Sequence, residues 1–467
     1  MSSPALTIRA SARRGEELAW VCDVLFRRFL GLPARIESHD EPWIGVSAGD
    51  GGELRWADHF FAAADAAWLQ PDSLPSAAPQ VNCPIDDAVL RERIGEPTLV
   101  SWFGDGRQQF ADGVLHLPID ITGSAFFLLS RYEEAVAGAP ADRHGRFPGR
   151  ESATHRAGVA LRPLVDEWVE LLWWGLQRVA PGLKRVRRSP RVWVTCDVDA
   201  PYSPGVRSLP LALRQTASDL VNHRSPRQAA RTLLNAAASR VGVTRFDPFD
   251  TFEWMLDQNE RAGQKMSFYF LSVRRPRRID GHYELEEPRV AALIRSIVQR
   301  GHEVGLHGSY YSIDEPQRLA YELDGLKRAV ARAGGQQARF GNRQHYLRWR
   351  MHDTARTLDA LGLDHDSTLG WPDIAGFRCG TCHAYPLFDL VRRQPLAILE
   401  RPLVLMESTV ISPTYLALGL GDAAVALMTD LRERCRRFGG EFALLWHNSH
   451  FTEPSSREIY HALIQPL

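Results

Sequence analysis

The stretch "VWVTCDVDAPY" runs from an apolar strand-like segment, Val192 to Val194, into two carboxylates, Asp197 and Asp199. In an extended chain alternate residues point the same way, so both side chains can enter one site. Two like charges so close call for a cation or an arginine to offset them. "RGHEVGLHGSYYS" supplies an imidazole: His307 closes the run Glu303 to Leu306, whereas His302 stands at that run's start and belongs to the opposite end. Tyr311 follows one helical turn after His307, where a second metal-ligating side chain is expected. "FGNRQHYLR" brings Arg343, suited to gripping an aspartate with both guanidinium arms, and His345, a ligand or substrate contact. "FALLWHNSHF" ends a strand-like run in His447, with His450 beyond it, and the loop-forming "LDHDSTLGWPDIAGFRCGT" offers Asp366, Asp373 and Arg378. Carboxylates, imidazoles and an arginine at successive strand ends suit hydrolysis by a general acid and base around a divalent metal. Each residue also has a plainer use, as a turn cap before Pro201 or a satisfied strand-end histidine.

These residues need strands to carry them. From Arg191 onward, apolar β-rich runs recur at "RVWVTC", "KMSFYFL", "HEVGLH", "ARFGN", "LAILERPLVLM" and "EFALLWH", most of them separated by amphipathic helical stretches. Before "HEVGLH", Pro288 falls in a first helical turn, Val290, Leu293, Ile294, Ile297 and Val298 share one face, and Gly301 ends the helix. Such alternation predicts a parallel α/β sheet or barrel, in which function gathers at the carboxyl ends of the strands. Residues 1–155 mix short strand-like runs with Pro/Gly/Asp-rich breaks and read as a smaller α/β domain. Residues 156–190 read as a connecting helix and a basic linker, "KRVRRSPR". A long insertion at about 201–245 carries seven arginines and almost no acids, a solvated helical face or an arm for polyanions.

At 467 residues the chain exceeds one ordinary core, which favours two domains or a barrel with an added module. A formal net charge of zero argues against a nucleic-acid partner. No run of 18 apolar residues predicts a transmembrane helix. The amino-terminal residues lack a secretory pattern, so a cytoplasmic protein is expected. Six cysteines fit reduced thiols, and "CGTC" has no second CxxC to complete a zinc cage.

The order of motifs, Thr-x-Asp-x-Asp, Gly-His-Glu-Val-Gly-x-His, an arginine-led loop and Leu-Leu-x-His, resembles the polysaccharide deacetylases of the NodB-homology superfamily. The resemblance covers about 191–450, and the first half, with "DITGSAFFLLSRYEE", resembles a domain that accompanies some members. It implies a distorted (β/α) barrel and a hydrolase that removes acetyl groups from sugars with a divalent metal, zinc first. Residue by residue, it implies Asp197 as general base, Asp199 and His307 as metal ligands, Arg343 as the arginine that orients the base, and His447 as general acid. Tyr311 occupies the family's second histidine position, and a phenol with a pKa of about 10 is a poor replacement for imidazole. Either His345 supplies the missing nitrogen, or the metal is held weakly through two ligands and waters, or the metal has been lost. Tyr311, Tyr346, Trp446 and Arg378 are the expected substrate contacts. The expected partner is a carbohydrate, lipid- or nucleotide-linked, in exopolysaccharide or lipopolysaccharide biosynthesis. The alternatives are a metal-free amidohydrolase on a small nitrogenous substrate and a non-catalytic glycan-binding protein.

Overall fold

The computed structural model of the chain describes residues 6–11, 15–49, 51–206, 208–221, 225–240, 243–273, 278–451 and 453–467. Its first part carries eight short strands: β1 (Leu6–Ser11), β2 (Ala34–His39), β3 (Trp43–Ser47), β4 (Glu53–Ala57), β5 (Val81–Pro84), β6 (Thr98–Ser101), β7 (Gln109–Ala111) and β8 (Val114–His116). Six of them form a mixed sheet in the order β2-β1-β3-β4-β8-β7, and β5 pairs with β6. The helix Leu164–Val179, expected from sequence as a connector, packs on β4, β8 and the buried helix Ile121–Leu129. Asp120 caps that helix, accepting from the Gly123 amide at 2.8 Å.

The remaining strands are β9 (Arg191–Val198), β10 (Met266–Leu271), β11 (Glu303–Gly308), β12 (Gly341–Gln344), β13 (His365–Asp366), β14 (Tyr385–Asp389), β15 (Gln394–Glu400), β16 (Leu405–Met406) and β17 (Glu441–Leu445). They make one sheet in the order β14-β15-β13-β12-β11-β10-β9-β17-β16, parallel throughout except for β14. Laid flat, this order would put β15 and β16 seven strand spacings apart, roughly 34 Å. Residues 401–404, all that joins them, reach at most about 18 Å. The sheet must therefore curl toward closure, and Arg401 stands at the seam. Its guanidinium donates to Glu441 of β17 at 3.0 and 2.8 Å and lies over the Trp193 ring of β9.

Alternation along each strand then separates lumen from outer core. Val192, Val194, Cys196 and Val198 join the main core under the helices, whereas Trp193, Tyr269 and Ala443 form a separate cluster inside the curl. Two glycines make room for the large lumen side chains. A Cβ on Gly305 would lie 2.5 Å from the Tyr269 ring, and one on Gly341 would lie 2.2 Å from the His365 ring. With the lumen floor filled, the carboxyl ends of β9, β11, β12 and β17 are left to present polar groups.

The two halves share one continuous apolar core. Buried polar contacts tie them further: Trp20 Nε1 donates to Pro386 O at 3.1 Å, and the Tyr385 hydroxyl donates to Leu129 O at 2.8 Å. Glu134 and Arg378 form a fully buried two-armed ion pair at 3.0 and 2.6 Å.

Candidate active site

Asp197 and Asp199 leave the end of β9 toward the lumen side. Arg343, fully buried on β12, holds Nη1 at 3.6 Å from Asp197 Oδ1 and donates through Nη2 to Ser367 Oγ at 2.9 Å. Asp197 Oδ2 also faces His307 Nε2 at 3.8 Å. One aspartate is therefore gripped by a cation, and the other stands against imidazoles.

Asp199 Oδ1 lies 3.2 Å from His307 Nε2 and 3.5 Å from His345 Nε2. The Asp199 side chain is 39% exposed as a whole, yet Oδ1 itself is buried with no hydrogen-bond partner. His307 turns Nδ1 to Arg343 O at 2.7 Å, and His345 turns Nδ1 to Asp280 Oδ1 at 3.2 Å. A carbonyl or carboxylate oxygen can only accept, so in the neutral form both rings carry their proton on Nδ1 and leave the Nε2 lone pair for the site. Among the described residues, Asp199, His307 and His345 thus offer one oxygen and two nitrogens within 4.8 Å of one another. Three such donors, each ring fixed by a backing oxygen and one buried carboxylate oxygen unpartnered, fit a divalent cation of the zinc class. Burial would raise Asp199, but His345, His307 and His447 hold its carboxyl far below the usual range. Burial likewise opposes charge on His307, and Asp197 and Asp199 reverse that and raise its pKa.

His447 approaches from the other side, its Nε2 3.7 Å from Asp199 Oδ2. Its Nδ1 faces Glu407 Oε1 at 2.6 Å, and its backbone amide donates to the same oxygen at 3.1 Å. Burial pulls His447 down, but Glu407, with Asp199 and Asp197, pushes it up to about 10. Glu407 in turn is held well below the carboxylate range against its burial by His447 and His450.

The rim is aromatic and comes from both halves. Tyr346, 38% exposed, packs its ring against His345, Tyr310 and His144 with centroids 4.8, 5.4 and 4.8 Å apart. Tyr346 and Leu347 take left-handed backbone angles, φ 63° and 53°, which turn His345 inward and Tyr346 outward. Arg146, from the first half, steadies this turn by donating to Tyr346 O at 2.9 Å, and Arg348 returns a bond to His144 O at 2.8 Å.

Residues 6–181 match a family of unknown function, DUF7033. Curated proteins give no match. The crystal structure of a Mycobacterium smegmatis protein named as a polysaccharide deacetylase is 18% identical, covering 60% of this chain and 84% of that one, at a TM-score of 0.38. PuuE allantoinase is 16% identical over 46% of this chain and 65% of that one, at 0.33. The Xyl-CE4 domain of a multidomain xylanase from the hindgut metagenome of Trinervitermes trinervoides is 12% identical over 59% and 80%, at 0.26. Likenesses this slight do not decide the chemistry.

Two expected substrate contacts need correction. Trp446 is fully buried, stacked on Phe451 and packed on Tyr460, because it faces away from the side that His447 faces in the extended chain. Arg378 is buried too, its donors taken by Glu134 and by Gly370 O. Tyr346 does line the rim, while Tyr311 packs edge-on to Tyr310. His302 lies at the opposite strand end, where its Nδ1 accepts from the Met266 amide at 3.0 Å. Sequence reasoning missed Asp280, Glu407 and His144. Asp280 ends the short helical turn Arg278–Asp280 and Glu407 begins the helix Glu407–Ile411, and nothing in their spacing points to a histidine elsewhere.

Proposed function

We propose that the chain is a metal-dependent hydrolase that removes the acetyl group from an N-acetylated sugar in bacterial exopolysaccharide or lipopolysaccharide assembly. One observation carries this reading: the three-donor group of Asp199, His307 and His345 stands between Asp197 with its arginine and His447 with its glutamate. A base and an acid, each backed by an opposite charge, flank one cation-sized position. The motif order supports the same reading, and the aromatic rim of Tyr346 and Tyr310 suits the face of a sugar ring. The arginine-rich segment 201–245 suits a sugar carried on a lipid or nucleotide diphosphate.

A divalent cation held by the three donors supplies Lewis acidity to the acyl carbonyl and the attacking water. The chain's own residues do the rest. Asp197 takes the proton from water as attack proceeds, and Arg343, 3.6 Å from its Oδ1, keeps it aimed. His447, kept protonated by Glu407, gives its Nε2 proton to the departing amine.

A metal-free hydrolase remains the second reading, favoured by one observation: Asp199 is already matched electrostatically by neighbouring imidazoles, with His307 raised. Metal analysis together with acetate release from N-acetylated oligosaccharides separates the two. The proposal expects bound metal and acetate release in the wild type, metal but little release in Asp197→Asn, and loss of metal in His345→Ala. Equal release by wild type and Asp197→Asn would remove Asp197 from the base role.

A further inference from the structure

The segment after Asp199 builds a pair of packed helices, Leu209–Val221 and Pro226–Ser239, whose polarity is inverted. Their buried positions are small or polar: Ala212, Thr216 and Asp219 on the first, Ala229, Asn235 and Ala236 on the second. Their large apolar residues point outward, Leu213 at 54%, Leu220 at 48%, Val221 at 73%, Leu233 at 43% and Leu234 at 49% exposed. Eight of the eighteen exposed large apolar side chains among the described residues fall between 209 and 243. A soluble helix pair turns such residues inward, and single scattered leucines would not concentrate in so short a span.

Charge narrows the partner. Residues 201–245 hold seven arginines and one acid, Asp219. That acid is buried between the helices, accepting from Gln215 at 3.0 Å and Thr232 at 2.6 Å. Among the described residues of the segment, every exposed charge is therefore positive. A second copy of the same face would set arginine against arginine, whereas an anionic lipid surface accepts leucines and arginines together. Helices of 13 and 14 residues extend about 20 Å, too short to span a bilayer but suited to lying in its interface. The pair is rooted beside the candidate site. Ser203 donates its amide to Asp247 at 3.1 Å and accepts from Asn235 at 2.9 Å, and Asn448, next to His447, donates to Ala200 O at 2.9 Å.

We propose that this helix pair is a peripheral membrane anchor, laying its leucines and arginines on an anionic lipid surface and holding the strand-end site beside it. The consequence for substrate, an acetylated sugar carried on a lipid diphosphate at that surface, rests on the function proposed above. The test is co-sedimentation of the full chain with vesicles of phosphatidylcholine alone or mixed with phosphatidylglycerol, alongside light scattering without lipid. Wild type is expected to pellet with the anionic vesicles and to be released by salt. Leu213→Glu with Leu220→Glu, and separately Arg227→Glu with Arg231→Glu, should each lower that binding at least about tenfold while leaving acetate release from a soluble oligosaccharide unchanged. No binding by wild type, or binding untouched by both variants, overturns the anchor, as does a lipid-free dimer that Leu213→Glu with Leu220→Glu dissociates. Vesicle binding without any acetate release would leave the anchor standing and count against the reaction instead.

Discussion

The Nδ1 of His447 lies 2.6 Å from Oε1 of Glu407, a carboxylate with no exposed surface, and this contact decides which way the histidine titrates. Burial alone would lower the imidazole; the carboxylates raise it to about 10. Glu407→Gln keeps an acceptor for Nδ1 and removes the charge, so burial regains the upper hand and the pKa of His447 falls. An acid must carry its proton, so the alkaline limb of kcat/KM moves to lower pH, by about one unit or more. A pH profile of Glu407→Gln with an unmoved alkaline limb would detach His447 from the acid role.

Asp280 does for His345 what Glu407 does for His447, but its expected effect is on metal. It is almost fully buried and also accepts the Tyr310 amide at 2.6 Å, so one carboxylate fixes both the His345 ring and the rim loop. Asp280→Asn is expected to weaken metal affinity about 10–100-fold, read by competition with a chromogenic chelator, with activity recovering as metal is added back. Unchanged affinity would take His345 out of the ligand set.

The strands and the side chains at their ends were legible because each lies within one contiguous run. "RVWVTC", "KMSFYFL" and "EFALLWH" are β9, β10 and β17, and Asp197, Asp199, His307, Arg343 and His447 follow from where such runs stop. What reaches across the fold was not legible. "LAILERPLVLM" reads as one apolar run, yet it holds β15 and β16 at opposite ends of the strand order, a division that only the curl of the sheet imposes. Asp280 and Glu407 act on histidines 65 and 40 positions away. The misreading of Trp446 has a simpler cause: neighbours in an extended chain face opposite ways, so Trp446, beside His447, turns into the core.

The joint between the halves makes the stability of the curled sheet depend on the first half. Glu134 is buried against two guanidinium groups, those of Arg378 and Arg131, at 2.6 and 2.8 Å. Glu134→Ala leaves Arg378 without its ion-pair partner in a dry interface, while Arg131 keeps Glu133 at 2.8 Å, and is expected to cost about 3–5 kcal/mol. Thermal unfolding followed by circular dichroism measures this, and a loss under about 1 kcal/mol would mean water reaches the pair.

Glu322 carries the clearest pH dependence of stability outside the donor group. It sits on the helix Pro316–Arg332, its Oε2 accepting the Ser309 amide at 3.0 Å, two residues past His307. Burial first, and the charge of Asp280 second, raise its pKa from 4.5 to about 7. A raised folded-state pKa means that the native protein holds this proton more tightly than the unfolded chain. Its stabilising contribution is therefore complete below pH 4.5 and is lost as pH rises through about 7. Glu322→Gln keeps the acceptor for Ser309 and cannot ionise, so the variant should match wild type near pH 5 and exceed it by on the order of 2–3 kcal/mol at pH 8. Chemical denaturation at the two pH values reads the difference directly. Equal wild-type and variant stability at pH 8 would mean that Glu322 is already solvated as a carboxylate, and that the loop after His307 opens to water more than its burial indicates.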